Sequence, residues 1–506
     1  MTRLATAYCR ASQALDAPLV RVEVHISGGL PGMTIVGLPE TAVREARDRV
    51  RAALQSSGFR VPPSRITINL APGELPKQGS RFDLAIALGI LQAAELLRLP
   101  LEQVECLAEL GLDGQLRPVA GVLPAARACA ASGRRLLLAP EAAAEAALVE
   151  GLELGAAPSL LSLCAALQSE GEWAAPAGAG SAAAAPRPAP PTRGGADLAE
   201  VSGQPQARRV LEVAAAGGHH LLLFGPPGSG KSMLAARLPG LLPPLSAAQA
   251  LELACVQSLG PEGFDLAAFG HRPFRAPHHS ASAVALVGGG REARPGEISL
   301  ASYGTLCLDE IAEFPRSVLE VLRGPLDSGE VAIARAAARV RYPARFQLVA
   351  TMNPCPCGFL GDAGSECRCT AEQVQRYRAR LSGPLLDRID LQLGMRRPPP
   401  ETLLNPQAGE PSAAVAARVA AARARMQARQ GGLNAQLAGA ELQQHCQLRP
   451  AERQLAETAM ARLRLSARGW HRSLRVARTL ADMQDSPRIE RPHLAEALGY
   501  RQFERA

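Results

Sequence analysis

Long uncharged apolar runs are absent from this sequence, although 47% of its 506 residues are hydrophobic. A helix that crosses a membrane needs about 18 consecutive apolar residues, and no stretch approaches that length. The first ten residues also lack the apolar centre of a secretory signal peptide. These two absences argue against a membrane partner and a secreted location, so we expect a cytoplasmic protein.

A regular disulfide framework is also missing. Of the eleven cysteines, seven are scattered and four are clustered, which is typical of reduced thiols in a long chain. Basic residues exceed acidic ones, and the net charge of +8 is compatible with nucleic-acid binding without requiring it. Composition therefore leaves the function open, and the motifs must decide it.

A phosphate-binding loop follows the apolar run Leu221–Phe224 and precedes a helical pattern. Its sequence fits G-x-x-x-x-G-K-[ST], in which glycines let backbone N–H groups turn toward phosphate oxygens. The lysine reaches the β- and γ-phosphates and the final serine holds Mg²⁺. The alternative is a glycine-rich turn, which the complete motif disfavours. We predict ATP and Mg²⁺ as cofactors, bound by Gly225, Pro226, Pro227, Gly228, Ser229, Gly230, Lys231 and Ser232.

Two later strand ends carry the groups that hydrolysis needs. Asp309 follows the apolar run 305–308 and can bind the Mg²⁺ shell, while Glu310 can polarise the attacking water. Asn353 ends the next apolar run and would sit beside the γ-phosphate. Alone, these residues would be read as surface carboxylates at a strand end and an Asn-Pro turn. We predict catalytic roles for Lys231, Glu310 and Asn353.

The three motifs together resemble AAA+ ATPases, and further strings resemble the YifB/ComM family within the magnesium-chelatase-like branch. These strings run from the first strands to the last helix: Val24–Ser27, Gly37–Glu40, Ile68–Pro72, Arg272–Ser280, Pro295–Leu300, Tyr342–Phe346, Ser382–Asp390 and Arg475–Asp482. The resemblance implies an α/β fold with a P-loop AAA+ module and a helical lid. It also implies a homo-oligomeric ring, most often a hexamer, that acts on single-stranded and branched DNA.

Two arginines take their expected roles from this resemblance. Arg388 matches the arginine finger that reaches the ATP of a neighbouring subunit and stabilises charge on the γ-phosphoryl oxygens. Arg475 matches the sensor-2 arginine of the lid, with Ser466 and Arg468 upstream. An ordinary salt-bridged arginine remains the alternative for Arg475. A finger supplied by the neighbour predicts that each site is complete only between subunits.

Composition divides the chain into four segments. Residues 169–198 are rich in Pro, Ala and Gly and predict a flexible linker. Residues 1–168 precede it, 199–396 form the expected ATPase core, and 397–506 are expected to form the helical lid. These boundaries predict three domains and one linker.

The N-terminal segment resembles the Lon-protease domain, an α+β fold of the ribosomal S5 domain 2 type, in the strings Ser80–Ala87 and Gly114–Leu123. Lon-type proteolysis needs a serine activated by a lysine. Arg81 stands where the serine would be and Leu123 where the lysine would be. We therefore expect an inactive relative used for assembly or DNA contact. A Lon-like protease or chaperone stays open as the weakest alternative.

Two segments of the ATPase core invite separate interpretations. Alternating residues around 330–333 and 340–342 predict a hairpin whose Arg335 and Arg339 would contact DNA phosphates without reading sequence; a solvated surface hairpin is the alternative. His278 and His279 lie in the long region expected to carry an additional hairpin. Neighbouring strand residues point to opposite faces, so we expect the two histidines not to share a metal.

Four clustered cysteines offer a different kind of site. Cys355, Cys357, Cys367 and Cys369 could close a tetrahedral zinc site, although both pairs have one intervening residue where zinc ribbons use two or more. Free thiols in a loop are the alternative.

Three functions follow from these patterns. The favoured one, implied by the family resemblance, is an ATP-dependent helicase or translocase that promotes DNA branch migration during recombination in natural transformation, with recombination proteins as partners. The second is a chelatase-type motor that remodels a protein, and the third is the protease or chaperone.

Overall fold

The computed structural model describes residues 3–169, 197–290, 293–334, 339–362, 364–405, 408–463 and 465–503. Nearly all of the predicted linker and Arg335 lie outside these ranges. The described chain forms two compact units, and the first unit combines two separate parts of the sequence. The first unit takes residues up to 169 together with Ala247–Phe269, and the second takes the remainder. None of the described helices is long and apolar enough to cross a membrane.

The first unit contains a four-stranded mixed sheet whose residues alternate between buried and more exposed positions, as a half-buried strand requires. Val20, Val22 and Val24 line one face of its second strand. The strand order is Arg3–Arg10, Leu19–Ser27, Arg65–Ala71 and Gly32–Val36, of which the last pair is parallel. A three-stranded parallel sheet follows, with the order Val104–Leu107, Arg135–Leu138 and Leu154–Ala156. The two short strands Glu109–Leu110 and Leu116–Arg117 pair as an antiparallel hairpin.

The core of this unit lies between its first sheet and an almost wholly buried helix, Asp83–Ala93. Gly89 allows close approach, since a Cβ there would come within 2.7 Å of Val24 Cγ2. The helices are Thr41–Ser56, Asp83–Ala93, Val122–Ala131, Pro140–Ala146, Leu160–Gln168 and Ala247–Ser258. The last of these is supplied by the segment Ala247–Phe269, which follows the phosphate-binding loop in sequence but buries Ala254 and Cys255 in this core.

A five-stranded, all-parallel sheet forms the centre of the second unit. Its strand order is Phe274–Arg275, Thr305–Leu308, Gln347–Met352, Leu221–Phe224 and Leu391–Gly394. The three central strands are buried at every position, as expected for a parallel sheet covered on both faces. This arrangement fits a P-loop AAA+-like α/β module.

Helices cover this sheet and make up all regular elements described after Gly394. In Ser412–Gln430 the buried residues Val415, Val419, Ala422 and Met426 recur at helical spacing and join the core of the unit. The helices of the unit are Pro205–Gly217, Lys231–Ala235, Ala283–Val287, Glu297–Leu300, Arg316–Glu320, Arg323–Ser328, Ala371–Arg378, Gly383–Leu386, Pro400–Leu404, Ser412–Gln430, Gly439–His445, Pro450–Leu463, Ala467–Met483 and Arg491–Gly499.

Two antiparallel hairpins lie in the sequence between the phosphate-binding loop and Asn353. Gly288–Gly289 pairs with Arg294–Pro295, and Glu330–Ala334 pairs with Arg339–Pro343. The second hairpin was predicted from alternation, and its Val331, Ile333 and Tyr342 are buried. Residues 335–338 and the Arg339 side chain lie outside the described part, so the DNA contact proposed for Arg335 and Arg339 has no structural description.

Candidate nucleotide-binding site

The order of the parallel sheet brings the sequence motifs to one edge. Strand Gln347–Met352 lies between the strand that enters the phosphate-binding loop and the strand that directly precedes Asp309. Because the carboxyl ends of parallel strands meet at the same edge, the loop, Asp309, Glu310 and Asn353 converge there. Three motifs that are far apart in sequence therefore form one site.

Glycine geometry shapes the phosphate-binding loop. Gly228 and Gly230 have φ values of 76° and 88°, which side chains rarely adopt. A Cβ on Gly225 would lie 2.3 Å from the Met395 carbonyl oxygen, so only glycine fits there. The helix Lys231–Ala235 begins directly after Gly230. The buried Ser229 Oγ has no hydrogen-bond partner among the described residues. This cradle suits the triphosphate of ATP.

The Lys231 ammonium group lies inside this loop. It donates to the carbonyl oxygens of Gly225 at 2.8 Å and Pro226 at 3.0 Å, and to Asn353 Oδ1 at 3.2 Å. Burial lowers the pKa of Lys231, while Asp309 and Glu310 act in the opposite direction. The predicted Asn353 is thus within hydrogen-bond distance of the cation expected to hold the phosphates.

Two hydroxyl groups and a carboxylate form the expected magnesium side of the site. Ser232 Oγ donates to Asp309 Oδ1 at 2.7 Å, and Thr351 Oγ1 donates to the same oxygen. Oxygen ligands of this kind suit Mg²⁺. Sequence analysis missed Thr351, although its position two residues before Asn353 on the same strand was a usable signal.

Glu310 occupies an unusual backbone position. Its φ of 51° is left-handed, and its N–H donates to Thr351 Oγ1 at 3.0 Å. A non-glycine residue in this region costs free energy and is common at functional sites. The Thr351 side chain thus contacts both the Asp309 carboxylate and the Glu310 backbone, and Glu310 itself is exposed.

A cavity of about 530 Å³ lies next to the loop and was not predicted. Gln204 connects the two, because its Nε2 donates to the Ser229 carbonyl at 3.2 Å and also to the Arg396 carbonyl. The volume is within the usual range for small-molecule pockets, roughly 300–1,000 Å³. Its lining residues include Gly203, Gln204, Pro205, Leu393, Arg396 and Gln502.

The structure does not bring the two predicted arginines into contact with this loop. Arg388 makes a two-pronged ion pair with Asp327, with Nε 2.9 Å from Oδ1. Arg475 lies on helix Ala467–Met483 and donates to the Ala435 carbonyl at 3.2 Å. Burial lowers the pKa of Arg475. The finger and sensor-2 roles therefore stay predictions.

A buried polar network links helix Ala467–Met483 to residues next to the sheet, and sequence analysis missed it. Asp390 accepts a hydrogen bond from Arg472 at 2.7 Å and lies 3.2 Å from His219 Nδ1. His219 Nε2 lies 2.8 Å from Thr479 Oγ1, on the same helix as Arg472. Burial opposes ionisation of Asp390, but Arg472 and His219 hold its pKa well below the usual range.

The four predicted cysteine ligands converge. Their sulfur atoms all lie within 4.8 Å of one another, in a group that could hold a metal ion. All eleven cysteines of the chain are free. Backbone N–H groups of Phe359 and Arg368 lower the pKa of Cys357 to about 6, whereas burial and hydrogen bonds with Cys355 and Cys357 raise the pKa of Cys367 and of Cys369.

The paired histidines correct one expectation. His278 and His279 were expected to point to opposite faces as strand neighbours, but they lie beyond the short strand Phe274–Arg275. Their ring centroids are only 4.0 Å apart. The strand alternation rule fails here because the chain has already left the sheet.

In the first unit, the candidate protease positions do not form a serine–lysine pair. Ser80 Oγ donates to Glu109, Arg81 donates to the Ala120 carbonyl at 2.9 Å, and Leu123 is buried. Lys77 is the only lysine outside the phosphate-binding loop, and its ammonium group donates to the Pro72 carbonyl.

Comparison with known proteins gives matches along nearly the whole chain. Residues 197–403 match the family described as magnesium chelatase, subunit ChlI. Residues 22–143 match subunit ChlI of Mg-chelatase, and residues 409–501 match its C-terminal family. The uncharacterized protein YifB of Salmonella typhimurium is 48% identical over 504 residues, which cover 99% of this chain and 98% of that protein. This chain belongs to the YifB/ComM family of magnesium-chelatase-like proteins.

Two other relatives show how far this family assignment extends. The competence protein ComM of Haemophilus influenzae is 48% identical over 500 residues, covering 98% of this chain and 97% of ComM. The magnesium-chelatase 38 kDa subunit of Cereibacter sphaeroides is 28% identical over 176 residues, 30% of this chain and 51% of that protein. The full-length match therefore lies with YifB and ComM, as the sequence motifs indicated, and the family suggests an ATPase that forms oligomers.

Proposed function

We propose that this protein is an ATP-dependent, ring-forming DNA motor that promotes branch migration during homologous recombination in natural transformation. The observation that carries the ATPase part is the convergence of Lys231, Ser232, Asp309 and Asn353 at one edge of the parallel sheet. The DNA part rests on the full-length similarity to a protein named for competence. The finer assignments below belong to this proposal.

In the proposed ATPase cycle, the chain's own residues position the reactants. The loop N–H groups and Lys231 hold the phosphates, and the cavity beside Gln204 takes the nucleoside. Ser232 and Asp309 would hold Mg²⁺, which when bound neutralises charge on the phosphate oxygens. Glu310 orients a water and accepts its proton, while Asn353 orients the γ-phosphate.

The proposed subunit arrangement assigns Arg388 to the neighbour's ATP. In the single chain Arg388, whose side chain is 13% exposed, is paired with Asp327, whose side chain is 54% exposed. A phosphate oxygen can replace the Asp327 carboxylate as the charged partner, so the exchange keeps the guanidinium paired. Arg475 would act from the lid as sensor 2. A hexamer is the assembly we propose.

Complementation between two inactive variants tests the trans finger. Arg388→Ala and Glu310→Gln should each lose ATPase activity alone. Mixed after dissociation, they should regain part of it, because some interfaces combine an intact Glu310 with an intact Arg388. Failure of every mixing ratio, with mixed rings verified by mass spectrometry, would remove the trans role of Arg388.

DNA contact is proposed at the hairpin that carries Arg335 and Arg339. Reversing either charge should abolish stimulation of the ATPase by DNA and spare nucleotide binding, because phosphate contacts are electrostatic. Arg341 on the same hairpin is the matched control, since it lies 3.7 Å from Glu330 within the hairpin. Equal loss of stimulation in Arg341→Glu would show that the effect is not specific to Arg335 and Arg339.

The proposed domain roles follow the predicted boundaries. Residues 1–168 are proposed to form a Lon-like, ribosomal S5 domain 2-like domain without protease activity, 169–198 a linker, 199–396 the AAA+ core and 397–506 the lid. The Ser80–Glu109 hydrogen bond and the absence of a lysine partner for Ser80 among the described residues support an inactive front domain.

A chelatase-type motor that remodels a protein is the second candidate, favoured by the match to the magnesium-chelatase family. Steady-state ATPase assays with single-stranded, duplex and four-way-junction DNA separate the two. Glu310→Gln is the blank. Glu313→Gln is the matched control, because Glu313 forms an ion pair with Arg380. We expect the greatest stimulation by junctions; no stimulation by any DNA would favour protein remodelling.

A further inference from the structure

The spacing of the four cysteine sulfur atoms fits tetrahedral zinc. Zinc–thiolate bonds of about 2.3 Å place neighbouring sulfurs about 3.8 Å apart in a tetrahedron. Cys355 Sγ lies 3.4 Å from Cys357 Sγ and 3.7 Å from Cys367 Sγ, and the latter two are 3.6 Å apart. These distances exceed the roughly 2.05 Å of a disulfide. The Cys369 sulfur lies within 4.8 Å of the other three, so all four sulfurs are close enough together to surround one ion.

The loop that carries the cysteines also touches the phosphate-binding loop. A Cβ on Gly358 would lie 2.9 Å from the ring atoms Cδ and Cγ of Pro227. Gly358 has a φ of 85° and donates its N–H to the Cys355 carbonyl at 3.0 Å, which closes a tight turn between two of the cysteines. The contact point with Pro227 is therefore part of the cysteine cluster itself.

A second contact braces the same proline. Arg397 lies 3.4 Å from the Asp362 carboxylate, whose side chain is 5% exposed, and donates to the Pro227 carbonyl at 3.4 Å. At the start of the loop, Asn353 contacts Lys231 two residues before Cys355. The cysteine loop thus lies against the phosphate-binding loop at Asn353 and Gly358, and Arg397 joins Asp362 to Pro227.

We propose that the four cysteines bind one Zn²⁺ and that this ion holds the cysteine loop against Pro227, which keeps the phosphate-binding loop in its nucleotide-binding shape. The zinc site stands on the sulfur geometry alone. Its coupling to nucleotide binding rests on the proposed ATP site. Zinc content and nucleotide affinity are therefore measured separately, so that failure of one is distinguishable from failure of the other.

Metal analysis of the full-length protein tests the site. We expect about one zinc per chain, and less than roughly half an equivalent in Cys357→Ser and Cys369→Ser. Cys446→Ser, which alters a buried cysteine elsewhere in the unit, should keep the metal. Cobalt-substituted protein should show the visible absorption of tetrahedral thiolate coordination. Zinc-free wild-type protein that also fails to bind cobalt would overturn the site.

Gly358→Ala tests the coupling without removing a ligand. Its Cβ would press on Pro227 in a strained backbone conformation, so we expect full zinc content and at least about tenfold weaker binding of a fluorescent ATP analogue. The cysteine variants should weaken binding similarly. Loss of zinc with unchanged affinity would overturn the coupling and leave the site intact. If even Lys231→Ala binds the analogue like wild type, the proposed ATP site fails instead.

Discussion

Replacing Asp390 with asparagine should destabilise the second unit more than any single exposed charge change. The Asp390 carboxylate is 3% exposed and neutralises Arg472, whose guanidinium is 2.7 Å away with 15% of its side chain exposed. Removing one member of a buried ion pair costs about 3–5 kcal/mol, since the other charge stays desolvated. Asparagine keeps an acceptor oxygen, so we expect the lower end, about 3 kcal/mol.

The fluorescence of Trp470 can report this loss. The chain has two tryptophans, and Trp470 lies on the helix that carries Arg472. In a Trp173→Phe background, the fluorescence change on heating therefore reports on helix Ala467–Met483. At about 2–4 °C per kcal/mol, Asp390→Asn should lower the midpoint by roughly 6–12 °C.

Glu372→Gln is the control for this comparison. It also removes a carboxylate from an arginine pair, but the side chains of Arg376 and Glu372 are 77% and 78% exposed, so the cost should stay below about 1 kcal/mol. Equal midpoint shifts in the two variants would refute the reasoning that burial makes the Asp390 pair stronger.

Three further predictions concern the site and its supports. Gly225→Ala should abolish nucleotide binding by equilibrium titration while the protein remains folded, because its Cβ would meet the Met395 carbonyl oxygen; Gly240→Ala, where a Cβ meets nothing within 4 Å, is the control. Thr351→Val keeps the shape but removes the hydroxyl shared by Asp309 and Glu310, so kcat should fall about tenfold or more with little change in nucleotide affinity, and unchanged kcat would contradict this role. Burial opposes ionisation of Asp482, but Arg429, Arg478 and Asn434 lower its pKa. Like Asp390, the ionised Asp482 therefore stabilises the fold at pH values above the unfolded-state pKa of about 3.9. The free energy of unfolding should fall as the pH is lowered below about 4, and it should fall less steeply in Asp482→Asn.

The phosphate-binding loop was predictable because its chemistry is local. Eight consecutive residues carry the loop, and the apolar runs around them predict the strand and helix. Asp309 and Asn353 were predictable as strand ends, since a parallel sheet brings such ends together. The structure adds their actual contacts with Ser232 and Lys231.

Other features could not be predicted because they depend on distant side chains. The hydrogen bond between His219 and Thr479 spans 260 positions, and no local pattern distinguishes a buried arginine such as Arg478 from the many exposed ones. The position of helix Ala247–Ser258 could not be predicted either. Its apolar residues indicate that it packs against a core, but not which of the two cores. The prediction that His278 and His279 point to opposite faces was wrong because the strand before them, Phe274–Arg275, ends three residues before His278 and has only two residues.

The segment Ala247–Phe269 imposes an order on biosynthesis. The first unit needs Ala254 and Cys255 to complete its core. These residues leave the ribosome only after the phosphate-binding loop has been made. An N-terminal domain usually completes its folding first during synthesis. Here the first unit keeps part of its apolar core exposed until residues 254 and 255 have been synthesised. A chaperone-free translation system should therefore yield a protease-sensitive first unit from messages truncated at residue 246. Messages extended beyond residue 269 should yield a protease-resistant first unit.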